Sequence, residues 1–279
     1  MALARVAALN VYPVKGARGI PLDAARLVTT GFAHRGVGDR EWMVVDPDGR
    51  FVTQRELPRL ALVATAVDDG ALVLGTEGRP PLRVATHDAR RSARDVVVWR
   101  SHVRGCDEGD EAARWLSAHL ARDVRLVRFD RSTKRACNPD FVGDSGAHTL
   151  FADGYPVLVI GSASLDDLNE RLARKGEPAL PMNRFRPNLV VEGLDAFDED
   201  HLDTMTIGEA TLRMVKPCLR CQVTTTDQAT ADVGIEPLPT LAMYRHHERL
   251  DGVAFGMNAI VVRSGDVRVN ADVTVTYRF

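Results

Sequence analysis

The sequence predicts a mostly β, α+β protein, and three observations carry that expectation. Short β-forming runs at 4–11, 42–45, 60–66, 71–74, 82–85 and 95–99 are separated by Gly, Pro and Asp turns. After an interruption, strand-like runs return at 189–192, 205–207, 210–215, 223–226, 259–262 and 267–277. Between and beyond them only three segments read as helix. So many short strands suit a barrel or a sandwich.

In chain order, the first interruption is 109–121. Ala112, Ala113, Leu116 and Leu120 recur at helical spacing, and the acidic Glu108–Glu111 run opens the segment, where negative charge complements the helix dipole. A polar stretch at 131–149, with Lys134, Arg135, Asn138-Pro139 and Gly143-Asp-Ser-Gly146, reads as the longest connection. Ser164 is the expected N-cap of a helix running to residue 174, with Leu165, Leu168 and Leu172 on one face. A third helix is expected at 240–247. The chain holds no internal repeat, and its domain boundary is placed near residue 125, giving units 1–125 and 126–279.

At 279 residues and 45% hydrophobic, the chain is long enough for two domains with sizeable cores. A net charge of −2, from 36 basic and 38 acidic residues, gives no global signal for nucleic acid or an anionic membrane. Four cysteines make no disulfide framework, which points to a reducing, cytoplasmic setting. No apolar run reaches 18 residues and the start has no signal-like apolar core, so no membrane anchor is expected.

The most informative segment is Lys216-Pro-Cys-Leu-Arg-Cys-Gln-Val-Thr-Thr-Thr-Asp227. Thiolate is a soft ligand for a transition metal, and a neighbouring guanidinium favours the ionised form. Pro217 argues against a helix and the threonine run is β-forming, so the thiols are expected on a turn entering a strand. Four readings stay open on these residues alone. Both thiols can be core residues; a structural zinc lacks a second CxxC; a thioredoxin-like dithiol lacks its helix. A single catalytic or metal-bound thiolate is the fourth.

The rest of the chain adds motifs in a fixed order. These are Val11-Tyr-Pro-Val-Lys15-Gly, Gly38-Asp-Arg40-Glu-Trp-Met-Val-Val, Gln54-Arg-Glu-Leu-Pro-Arg59-Leu and Phe151-Ala-Asp-Gly-Tyr-Pro156. Phe185-Arg-Pro-Asn188-Leu-Val-Val, the Cys218–Cys221 turn and Phe255-Gly256-Met-Asn258 follow. Together they resemble the MOSC-domain molybdenum proteins. The similar branch carries an N-terminal β-barrel domain and includes the mitochondrial amidoxime-reducing component and its bacterial relatives. The resemblance implies an N-terminal MOSC β-barrel domain followed by a MOSC β-barrel domain with a few short helices.

It also implies a molybdenum cofactor, a pterin dithiolene with a terminal phosphate. Cys221 matches the family's metal ligand, and Cys218 becomes its neighbour. Lys15, Arg40, Arg186 and Arg220 match the cationic clamp, a role suited to point charges and forked donors. Gly16, Asp153, Tyr155, Asn188, Leu219 and Asn258 are further pocket candidates. Gly16, Leu219 and Asn258 depart from the animal members, which carry serine, serine and tyrosine there. The implied activity is reduction of small N-hydroxylated substrates by oxygen-atom transfer. Electrons would come from a separate donor such as a ferredoxin, a cytochrome b5-like protein or a flavin reductase, because no iron–sulfur cysteine pattern is present. The alternative is a sulfur-transfer or cofactor-carrier protein, with Cys221 holding a persulfide or accepting the cofactor.

Other polar residues read blandly. His246-His247 point different ways on the expected helix. Asp227 reads as a turn residue. His34 and His148 sit near glycines as weaker candidates for the site. No Ser-His-Asp pattern, P-loop or strand-linked GxGxxG occurs.

Overall fold

A computed structural model describes residues 4–87 and 92–278. The protein is mostly β. Its largest sheet has nine strands. Eight run in the order Val273–Tyr277, Leu202–Ile207, Ala210–Leu219, Gly252–Arg263, Val157–Gly161, Leu189–Glu192, Arg5–Val11 and Ile20–Leu22. The ninth, His246–His247, pairs with Gly252–Arg263. Val157–Gly161 and Leu189–Glu192 run parallel, which demands a long crossover, and helix Ser162–Arg174 lies in it. The ladder does not continue around the sheet. An isolated Arg5–Asp272 bridge and a Val273 N–H to Ala4 carbonyl bond nevertheless bring its two ends together.

Period-two alternation places one side of these strands inside. Val6, Leu9, Leu189, Val191, Met205 and Leu212 meet in the main core. A second core gathers around Trp42, Leu60, Leu72 and Leu116. It is covered by helix Asp110–Leu120, whose Ala112, Ala113, Leu116 and Leu120 are buried as their spacing predicts. A five-stranded sheet beside it carries the short Val14–Lys15 strand parallel to Trp42–Val45.

The sheets do not follow the chain's halves. Arg5–Val11 pairs with Leu189–Glu192, and Gly265–Arg268 pairs with Ala24–Val28.

Several expected elements differ. The threonine run is a 3-10 turn, Gln222–Thr225, so the thiols leave a strand rather than enter one. Residues 60–66 divide into the turn Pro58–Leu62 and the strand Ala64–Asp68. Strand 267–277 is two strands, Gly265–Arg268 and Val273–Tyr277. The third helix spans only Leu238–Ala242, and His246–His247 are strand residues. Ser164 does not cap its helix, which begins at Ser162. Its hydroxyl instead donates to Glu199 Oε2 at 2.8 Å and accepts from the Phe197 N–H. The 131–149 connection contains a short pair, Arg135–Ala136 with His148–Thr149, and the helix Pro139–Val142.

Candidate functional site

The main strands converge on a cavity of about 420 Å³. Every one of the eleven residues singled out in the sequence borders it, from Lys15 and Gly16 to Cys221 and Asn258. His34 and His148 do not.

The thiol end is set by the last residues of Ala210–Leu219. Cys218 lies on the strand, half-buried, and Cys221 stands exposed just past it, where the 3-10 turn begins. Arg220 donates from Nη1 to Cys218 Sγ at 2.9 Å and from Nη2 to the Phe185 carbonyl at 2.7 Å. Its Nε is buried with no partner among the described residues. The guanidinium therefore addresses Cys218, the thiol that sequence reasoning left in the background. Leu219 packs where a Cβ on Gly252 would come within 3.1 Å of its side chain. Asn258 reaches from the neighbouring strand to the Lys216 and Pro217 carbonyls at 3.3 and 3.4 Å, tying down the segment that carries the thiols.

The opposite end is cationic. Arg40 and Arg186 both hold left-handed backbone, φ 48° and 56°, which costs a non-glycine residue about 1–3 kcal/mol. Their guanidinium carbons lie 4.2 and 4.4 Å from the Tyr12 ring centroid. Arg40 is paired with the buried Asp39 at 2.5 Å. Burial works against the charge of Arg40, but Asp39, Tyr12 and Asp153 together outweigh it and raise its pKa. Arg186 has no carboxylate partner among the described residues. It donates to Gln228 Oε1 at 3.1 Å and to the Ala17 carbonyl at 2.7 Å, and burial pulls its pKa down to about 10. It stays protonated at neutral pH.

Lys15 is buried to 8% exposure and meets Asp153 Oδ1 at 2.5 Å. Burial lowers the lysine's pKa, with Asp153 opposing. For Asp153 the surrounding walls act to raise the pKa, yet Lys15 and the Trp99 indole hold it well below the usual carboxylate range. Gly16 is fixed by packing: its φ is +84° and a Cβ there would stand 2.6 Å from Leu60 Cδ2. Asn188 spends its amide on protein groups. It donates to Asp39 Oδ1 at 2.9 Å and accepts from Leu158 N–H and Arg40, so it shapes the wall. Tyr155 packs edge-on against Phe141, and burial pushes its phenol up to about 12.

Residues 3–123 match the MOSC N-terminal beta barrel domain, and residues 146–274 match the MOSC domain. The mitochondrial amidoxime reducing component 2 of Bos taurus is 37% identical over 86% of this chain and 72% of its own. The chain belongs to this MOSC family. Component 1 of Homo sapiens is 32% identical over 95% of this MOSC protein and 80% of its own length. The YuaD protein of Bacillus subtilis is a loose structural likeness, with TM-score 0.42 and 12% identity over 99% of this chain and 97% of its own.

Four residues around the MOSC cavity escaped sequence reasoning. Tyr12 and Gln54 lay inside motifs already noted, unremarked because an aromatic and an amide carry no charge. Gln54 and Gln228 exchange reciprocal amide bonds at 3.0 and 2.9 Å, and Gln54 also holds the Gly16 carbonyl. Gln228 and Trp99 stood in no motif and had no sequence signal.

Proposed function

We propose that this protein is a molybdenum-cofactor oxidoreductase that reduces small N-hydroxylated compounds, with Cys221 as its thiolate ligand to the metal. The observation that carries the reading is the distribution of charge in the cavity. Lys15, Arg40, Arg186, Arg220 and Lys216 face one end-to-end space in which Asp153 is the carboxylate at the wall. Such an excess of cations, with Arg186 unpaired by any carboxylate and Arg220 Nε without a partner among the described residues, suits a polyanionic guest bearing a phosphate. The described residues contain no cluster of three His, Cys, Asp or Glu side chains able to hold a metal. A metal at Cys221 must bring its other ligands, as a dithiolene does. The residues fit the group.

When bound, that cofactor supplies a two-electron centre suited to removing oxygen from an N–O bond. The net reaction converts N–OH to N–H and water, using two electrons and two protons. The chain's own part is positional. Arg40 and Arg186, held by Tyr12, Asp39, Asn188 and Gln228, anchor the anionic end. Arg220 bridges the two ends of the cavity, and Asn258 fixes the strand end so that Cys221 presents its thiol. The two electrons come from a donor outside the residues that line the cavity.

The test is metal and pterin content after expression in a host that loads another molybdoenzyme. Near-stoichiometric molybdenum, lost in Cys221→Ser while the melting temperature stays within a few degrees, is the expected result. It should accompany turnover of an N-hydroxylated amidine with a reduced dye as donor. Full molybdenum retention in Cys221→Ser would sink the ligand assignment. A loaded protein with no turnover would sink the reductase.

A further inference from the structure

At the mouth of the cavity, Trp99 occupies a position its side chain does not explain. It is the first residue of the two-residue turn joining Ala93–Val98 to Ser101–Asp107, where Val98 and Ser101 are paired. Its φ is +55°. A tight hairpin turn with left-handed backbone at its first position favours glycine. A tryptophan there is strained, and the residue is 45% exposed. Strain and exposure of a large aromatic are both costs to the fold, and such outliers gather at functional sites.

The ring's surroundings are ordered. Phe51 packs against it with centroids 4.9 Å apart. Its indole N–H donates to Asp153 Oδ1 at 3.0 Å, the same oxygen that takes Lys15. Asp153 Oδ2 accepts nothing from the described residues, and the side chain is 74% exposed toward the cavity mouth. The exposed Arg55 lays its guanidinium carbon 4.9 Å from the Trp99 centroid. A planar, conjugated, nitrogen-rich group thus already rests on this ring, carried by a flexible side chain that a ligand can displace.

We infer that Trp99 is the specificity-determining platform for the planar part of the substrate, with Asp153 Oδ2 accepting an N–H from it. The inference rests on the reductase reading and narrows its substrates. Flat amidoximes conjugated to an aromatic ring, and N-hydroxylated heteroaromatic bases, are preferred over compact aliphatic N-hydroxy compounds. A π face favours planar partners over small round ones, and stacking tolerates variation in the ring.

The test uses the loaded protein and two pairs of probes. Benzamidine and acetamidine share one amidinium and differ in the ring; benzamidoxime and acetamidoxime are the matching substrates. Calorimetry should show benzamidine binding about tenfold tighter than acetamidine in the native protein. Trp99→Leu should abolish most of that difference by weakening benzamidine alone, and Trp99→Phe should keep most of it. In turnover, Trp99→Leu should raise KM for benzamidoxime about tenfold with kcat nearly unchanged. Equal weakening of both amidines, or no change in either, overturns the platform. Protein that binds the amidines with this preference but reduces neither oxime supports the platform and sinks the reductase. Retained turnover with no ring preference does the reverse.

Discussion

Arg186 is a buried guanidinium held by an amide, a carbonyl and an aromatic face. Lysine in its place offers one point of donation and no plane to lie beside Tyr12. Gln228 Oε1 would keep its bond from Gln54, but a lysine that reaches it leaves the Ala17 carbonyl short of a donor, at about 1–3 kcal/mol for a buried acceptor. Arg186→Lys is therefore expected to lower pterin content about tenfold after gel filtration, with a measurable drop in melting temperature. Wild-type pterin content would remove Arg186 from the clamp. Asp153 provides a pH signature. Its folded pKa lies below the ordinary 3.8, so the stability it contributes is present above about pH 4 and lost as pH falls through the folded value. Asp153→Asn should flatten the acid limb of a stability–pH profile; an unchanged limb would mean that the Lys15 pair is screened away.

Among the elements, Glu199 ties the turn Asp198–His201 to the start of helix Ser162–Arg174. It is fully buried, accepting from Gly161 N–H at 3.1 Å and from Ser164. Burial raises its pKa above 4.5, so its contribution is present below that value and lost as pH rises through the folded pKa. Glu199→Gln should melt higher than wild type by a margin that grows from pH 5 to pH 8. A constant margin would refute the titration. Gly256 makes a sharper demand. Its φ is +78°, and a Cβ would stand 2.6 Å from Ile160 Cγ1 and 2.8 Å from the Val159 carbonyl. Gly256→Ala should cost about 2 kcal/mol or more in a denaturant titration and disturb Asn258, two residues on.

These same elements show what a sequence can carry. Helix Asp110–Leu120 was legible because its burial is periodic and local. The strand Gly252–Arg263 was legible only at 259–262, since Gly256 and Asn258 break its apolar pattern for the sake of close packing and the site. The threonines misled for a physical reason. Thr224 and Thr225 turn their hydroxyls back to the Cys221 and Gln222 carbonyls, an arrangement that competes with a ladder. The strand Ala24–Val28 was missed because its partner, Gly265–Arg268, lies near the other end of the chain. Of the site, charged and thiol residues in motifs were readable. The neutral groups that aim them, Tyr12 and Gln228, and the turn that lifts Trp99, were not.

For the whole molecule, the sheets run across the boundary expected near residue 125. Removing residues 1–125 uncovers one edge of Leu189–Glu192 and the apolar Leu189 and Val191 that face Val6 and Leu9. An isolated 126–279 fragment is expected to be expanded or aggregated, with no cooperative thermal transition by circular dichroism. The intact chain should melt in one step. A fragment that melts cooperatively near the wild-type temperature would show that the second unit folds alone.

The placing of Arg5–Val11 also sets a clock on synthesis. Leu9 pairs with Leu189, so once made this segment waits for about 180 further residues, ~10–40 s at ordinary elongation rates, before its partner exists. Through that interval an apolar β segment is without its sheet, and the nascent chain must be kept from pairing it elsewhere. Yield in a heterologous host should therefore respond to slower growth temperature and to holding chaperones more than to any change at the cavity.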